Sequence, residues 1–222
     1  MHFVRSFMVA GLGLALALPA AAQTATPGPA WQAFSTAANG WTNYTMTIVS
    51  HEVHGGAHRD ATWNFYYLAP HYARIDVAKG YSEGAGVAWS GGDQAQAHSG
   101  DPSTSSIVLP FSIHDSQLTD LYGDTVPDAA WTAFRDNIQS RSTFVSEAPG
   151  PTVGGVATVV DTWTVNTPSA WGGITKNEVY INPATNMPVQ WIAYVGDQPA
   201  ITDTYTNVNL NAKNTPDTFR FD

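Results

Sequence analysis

Two stretches of this sequence hold residue types that could do chemistry. Gly80-Tyr81-Ser82-Glu83-Gly84 matches G-x-S-x-G, the pattern that lifts a serine nucleophile onto a sharp strand-to-helix turn. His51, His54 and His58, with Glu52 beside the first, gather three imidazoles in one short segment, and such groups bind zinc or copper. Each pattern lacks the setting its chemistry needs. A serine elbow requires an α/β sheet with an acid and then a histidine downstream, whereas a strand pattern follows Ser82, so a hairpin loop is expected there. His51 and His54 lie an odd number of residues apart, which on a strand places them on opposite faces. H-E-x-H is also one residue short of the helical zinc motif, so the three histidines are expected at a solvated hairpin tip. Asp161 interrupts the apolar row Ala157, Val159, Trp163 and Val165, and is expected at a sheet edge, with a buried acid near a ligand head group as its alternative. The remaining carboxylates are too scattered for a glycosidase pair. The sequence therefore predicts no catalytic residue, no metal and no cofactor. The rival reading is a secreted hydrolase or metal-binding protein using Ser82 or the His51/His54/His58 cluster.

The elements that would position these groups are mostly strands. Trp31, Phe34 and Ala38 fall at helical spacing over residues 30–38, and Asn39-Gly40 stops that helix. From Trp41 onward the period becomes two. Tyr44, Met46 and Ile48 share a face, the glycines at 55 and 56 reverse the chain, and Trp63, Phe65 and Tyr67 answer from a strand over 62–68. Further strands are predicted over 73–77, 85–89, 94–98 and 107–113. A helical pattern follows over 116–123 and, more clearly, over 127–139, with Pro127 in its first turn and Trp131, Phe134 and Ile138 as its stripe. Strands return over 143–147, 157–165, 176–181, 189–195 and 200–210, with Pro149-Gly150-Pro151, Gly154-Gly155 and Gly172-Gly173 among the separators. Short strands at close spacing without βαβ alternation predict a mainly β (α+β) fold. It is a single, strongly curved antiparallel sheet, apolar on its concave face, with two or three short helices as a lid.

Composition narrows the classes further. The chain has 222 residues, of which 43% are hydrophobic and only 12% charged, so it can build a core but is neither a disordered acidic tail nor a coiled coil. Its formal charge of −9 repels a phosphate backbone, and no basic stripe offsets that, which excludes nucleic acid as a partner. Residues 1–22 read as a signal peptide: Arg5 in the n-region, the apolar run Phe7 to Leu18, then Pro19 and three alanines before Gln23. That run is too short to span a bilayer, and nothing later is longer, so no transmembrane segment is expected in the mature chain. Residues 23–30 form a short linker, and 31–222 show no repeat or composition break. An exported, periplasmic location is expected. The absence of cysteine leaves stability to core and sheet rather than disulfides.

The order of pieces, and in particular Tyr180-Ile181-Asn182-Pro183-Ala184-Thr185-Asn186-Met187-Pro188-Val189, resembles the LolA-like superfamily of periplasmic lipoprotein carriers. Thr204-Tyr205-Thr206-Asn207-Val208 through Phe219 resembles that family's last strand and trailing segment. Asn182 stands where the family has Asp, and Arg74 is the only strand arginine in a plausible position for the family's lid-contacting arginine. The resemblance implies an unclosed half-barrel whose concave face holds acyl chains under a helical lid. It implies one domain over 31–222 and lipid acyl chains or a lipoprotein as partner, with an inner- or outer-membrane protein as a further one. The predicted lining is Met46, Ile48, Trp63, Phe65, Tyr67, Ile75, Val87, Trp89, Trp191 and Ala193, with Trp131 and Phe134 from the lid. Each methylene buried there contributes about 0.8 kcal/mol, so one acyl chain binds well without polar contacts. The same aromatic rows would also serve an ordinary closed core. The function expected is non-enzymatic carriage or binding of lipid or lipidated protein, with a regulatory or sensor binding domain as a second non-enzymatic alternative.

Overall fold

The strand rhythm becomes eleven antiparallel strands in one sheet. A computed structural model describes residues 25–221, so the expected signal peptide lies outside the described residues. The strands are β1 (Asn43–His54), β2 (Ala57–Leu68), β3 (Tyr72–Gly80), β4 (Gly86–Trp89), β5 (Gln94–His98) and β6 (Leu109–Ser112). They continue as β7 (Ser142–Val153), β8 (Val156–Val165), β9 (Lys176–Asn182), β10 (Met187–Val195) and β11 (Gln198–Asn209). Their spatial order is β6-β5-β4-β3-β2-β1-β11-β10-β9-β8-β7. The chain thus starts at the centre with β1 and walks outward to one edge. It crosses to the opposite edge and walks back, until β11 pairs with β1. Because β6 and β7 do not pair, the sheet stays unclosed, as the half-barrel expectation required.

Two helices cover the concave face. α1 (Pro29–Ala38) opens on a proline, whose missing N–H costs nothing in a first turn. α2 (Trp131–Arg141) lies in the crossing segment between the two edges. They are joined by Arg135, which donates to the Asn39 side chain at 2.6 Å and to the Ser35 carbonyl at 3.1 Å. Trp31 meets Trp163 at 4.7 Å between ring centroids, Trp131 meets Tyr205 at 4.6 Å, and Phe134 meets Trp191 at 5.5 Å. These rings fill the side of the concavity formed by β8 to β11.

Several sequence expectations need correction. Pro149-Gly150-Pro151 does not separate strands: β7 runs straight through it and absorbs the prolines in a bulge between Pro149 and Thr152. This is possible because β7 is an edge strand, where a missing amide donor breaks no ladder bond. Its turn comes at Gly154-Gly155, with φ of 55° and 85°, and Gly55-Gly56 makes the same left-handed pair between β1 and β2 with 57° and 86°. Residues 116–123 form consecutive turns rather than a helix. Pro127 opens a separate 3₁₀ turn, Val126–Ala129, and α2 begins only at Trp131 because Ala130 is extended. Strand β6 is shorter than predicted, and an unpredicted 3₁₀ turn, Pro168–Trp171, precedes Gly172.

Candidate ligand cavity

Alternation along β1 sends Tyr44, Met46, Ile48, Ser50 and Glu52 inward, so this one row passes from aromatic to acidic. β11 beside it sends in Ile201, Asp203 and Tyr205, and β2 on the other side sends in Ala61, Trp63, Phe65 and Tyr67. Where α1 and α2 lie on these rows the space is filled. Beside the packed rings, over β2 to β6 and reaching onto β1, β10 and β11, a cavity of about 910 Å³ remains between the sheet, α2 and the segment from residue 99 to 129. Its size falls within the roughly 300–1,000 Å³ of small-ligand sites. Tyr81, Ile107 and Leu109 stand at its wall and are more than half exposed, at 54%, 51% and 51%, so its mouth has an apolar rim.

Of the residues predicted to line such a site, Ile48, Trp63, Ile75, Val87, Phe134 and Trp191 face this cavity. Met46, Phe65, Tyr67, Trp131 and Ala193 are buried in the packed core instead. Trp89 packs partly buried against that core and donates its indole N–H to the Gly92 carbonyl at 2.8 Å. Arg74 sits on the other face from Ile75. It binds Asp76 at 2.9 Å and the Thr218 carbonyl at 2.9 Å, and stacks over Phe221, so it holds the C-terminal segment and, among the described residues, bonds neither α1 nor α2.

The polar end of the cavity was not foreseen. Glu52, Asp120, Asp124, Asp128 and Asp203 line it together with Arg59. Asp128 is satisfied by the Thr125 N–H and hydroxyl and by the Asn137 amide, and Asp124 is paired with Arg141 at 3.0 Å. Glu52 accepts the Leu121 N–H at 2.9 Å and the Ser50 hydroxyl at 3.4 Å. Asp203 differs: it is only 8% exposed, and its Oδ1 has no hydrogen-bond partner. Burial pushes its carboxyl up to about 8. The Ser50 hydroxyl pulls the other way, and the charges of Glu52, Asp120 and Asp124 add to the rise. Burial likewise raises Glu52, Asp120 and Asp124, and their mutual repulsion reinforces the effect for Asp120 and Asp124. A signal existed in the sequence. Ser50 and Glu52 continue the even-numbered row of Tyr44, Met46 and Ile48, and Asp203 sits between Ile201 and Tyr205.

The chemistry-bearing motifs lie elsewhere or are taken apart. His51 bonds Asp60, its cross-strand neighbour, while His54 Nδ1 lies 2.9 Å from the Leu121 carbonyl and stacks on Tyr122, and His58 is exposed. Among the described residues no three histidine or carboxylate groups are placed to hold a metal ion. Ser82 occupies the turn between β3 and β4 with φ of 61°, on the cavity wall, and no histidine bonds it among the described residues. Asp161 corrects the expectation of an edge position. β8 lies between β7 and β9, and the side chain is fully buried opposite Glu147, which itself accepts the Ala30 N–H at the start of α1 at 2.7 Å. Burial, with Glu147 adding, raises Asp161 to about 7.

No protein-family model matches the sequence, and no curated protein does. The shape does find likeness among solved structures. An uncharacterized conserved protein from Thermus thermophilus aligns with 86% of this chain and 93% of its own at TM-score 0.53 and 10% identity. MucB aligns with 86% of this chain and 62% of its own at TM-score 0.50 and 14% identity. A LolA superfamily protein from Nitrosomonas europaea aligns with 89% and 99% at TM-score 0.40 and 11% identity. At these identities the likeness is one of fold, and it rests on the first two. What the chain shares with those two is the fold, here an unclosed eleven-stranded antiparallel sheet with two helices on its concave face.

Proposed function

We propose that this chain is an exported, non-enzymatic carrier or binder of a lipid, or of the acyl chains of a lipidated protein. The observation that carries this reading is the cavity of about 910 Å³, walled by Ile48, Trp63, Ile75, Val87, Phe134 and Trp191 and open at an apolar rim. A core that only stabilised the fold would close over these side chains, because interiors pack to crystal-like density and leave few voids larger than a water. Here the helices close one side of the half-barrel and leave the other lined but unfilled. The leader over residues 1–22 supports export to the periplasm, where a partner in either membrane could deliver or receive the ligand.

Native mass spectrometry of residues 23–222, purified without detergent, tests the proposal alongside lipid extraction of the same sample. A bound phospholipid or acylated peptide near unit stoichiometry is the expected result. A clean protein mass that takes up no added lipid would overturn it.

A further inference from the structure

The cavity has two chemically distinct ends, and the acidic one matches a particular head group. We infer that the ligand, on the reading that it is a lipid-like amphiphile, carries an amine or ammonium at its polar end, seated against Asp203 and Glu52 with its tail toward Trp63 and Ile75. Among the side chains lining the cavity, carboxylic acids outnumber arginine seven to one, Arg59 being the one, and no lysine takes part. Arg59 is already engaged, donating to the Thr119 carbonyl at 2.7 Å and lying 4.8 Å over the Tyr81 ring. An anionic head would find no free cation to pair with, since Arg141 is held by Asp124 and Arg59 by the Thr119 carbonyl. A neutral hydrocarbon would leave the acids desolvated without a partner.

Asp203 carries the argument beyond a mere cluster of acids. Its side chain is more than nine-tenths buried, it lines the cavity, and its Oδ1 accepts from nothing in the protein. Buried polar atoms are nearly always paired, so an orphan acceptor on a cavity wall marks where a ligand donor belongs. An ammonium offers three donors and a charge, which satisfies Asp203 and the nearby acids together. No three of these acids converge as a metal cage would require, which favours an organic cation over a bare one.

Proton linkage gives a second readout. The groups facing Asp203 are Ser50 and Glu52 on β1, Tyr205 on β11, and Asp120 and Asp124 from the crossing segment; Arg59 of β2 acts on Glu52, and Arg141 of α2 on Asp124. Burial keeps Asp203 protonated near neutrality, so an entering ammonium expels that proton. Alkylammonium affinity is therefore expected to rise between about pH 6 and about pH 8, whereas the affinity of a neutral alcohol stays flat.

The test titrates dodecylamine, dodecanol and sodium dodecanoate, each below its micelle concentration, into residues 23–222. Tryptophan fluorescence reports, since Trp63, Trp171 and Trp191 line the cavity. Dodecylamine is expected to bind roughly tenfold or more tighter than dodecanol, and dodecanoate weakest. Asp203→Asn is expected to erase the amine preference and leave dodecanol affinity unchanged; Asp120→Asn reduces the preference and serves if the first variant does not fold. Dodecanoate or dodecanol binding as well as dodecylamine would overturn this inference and leave the lipid-binding proposal standing. An amine preference that survives both variants would mark surface attraction and overturn it too. If none of the three binds, both readings fall.

Discussion

Asp203→Asn also makes a prediction about the protein without any ligand. In the unfolded chain this carboxyl titrates near 3.8, and in the folded one burial moves it to about 8. A group raised on folding contributes stability that is fully present below its unfolded value and is lost as pH climbs through its folded value. Between the two, the native state holds one proton that the unfolded state has released. Stability then falls by roughly 1 kcal/mol or slightly more for each pH unit, or on the order of 3 kcal/mol from about pH 5 to about pH 7. For a domain of this size that corresponds to a Tm lower by roughly 5–10 °C at the higher pH. Asparagine keeps the shape and cannot ionise. The Asp203→Asn variant should accordingly gain on the parent by an amount of that order over the same interval; groups far from Asp203 contribute equally to both and cancel. Thermal unfolding followed by circular dichroism at several pH values, parent and variant side by side, reads the difference directly. Parallel curves between pH 5 and 7 would refute the reasoning, since they would mean that Asp203 is solvated and ionised in the native state.

Three further outcomes are expected. Tyr44→Phe removes the hydroxyl that accepts the Trp131 N–H at 2.8 Å, leaving a buried amide unpaired at the start of α2, and should cost about 1–3 kcal/mol in chemical denaturation. Trp63→Ala strips a half-buried wall of the cavity. It should weaken dodecanol binding by roughly tenfold in the fluorescence titration, and unchanged affinity would place the ligand elsewhere. Arg74→Ala releases the carbonyls of Thr218 and Arg220, so hydrogen exchange should accelerate over residues 216–221 with little change in global Tm.

How much of this was legible follows from what each signal depends on. The period-two rows of β1, β2 and β3 are local facts, because a pleated strand must send alternate side chains to opposite faces whatever it packs against. The helical stripe Trp31, Phe34, Ala38 is equally local. The turn at Gly55-Gly56 was readable for the same reason, since left-handed backbone selects glycine. Pro149-Gly150-Pro151 misled because a proline's meaning depends on whether its strand is at an edge, and strand order is not a local property. Asp161 misled in the converse way: an acid in an apolar row reads as exposed until neighbours are known to lie on both sides.

By itself, then, the sequence determined the strand periodicity, the apolar inward face and the acidic balance, each fixed by covalent alternation and composition. The division of that face between a filled core and an open cavity was decided only in the tertiary structure. Trp131 and Phe134 share a helical stripe, yet one is locked among Tyr44 and Tyr205 while the other looks into the cavity, because α2 reaches across only part of the sheet. The meeting of Glu52, Asp120, Asp124 and Asp203 was decided there too. They come from three distant stretches of chain, and their altered acidity arises from shared burial, which exists only once β11 pairs with β1 and the crossing segment lies over them.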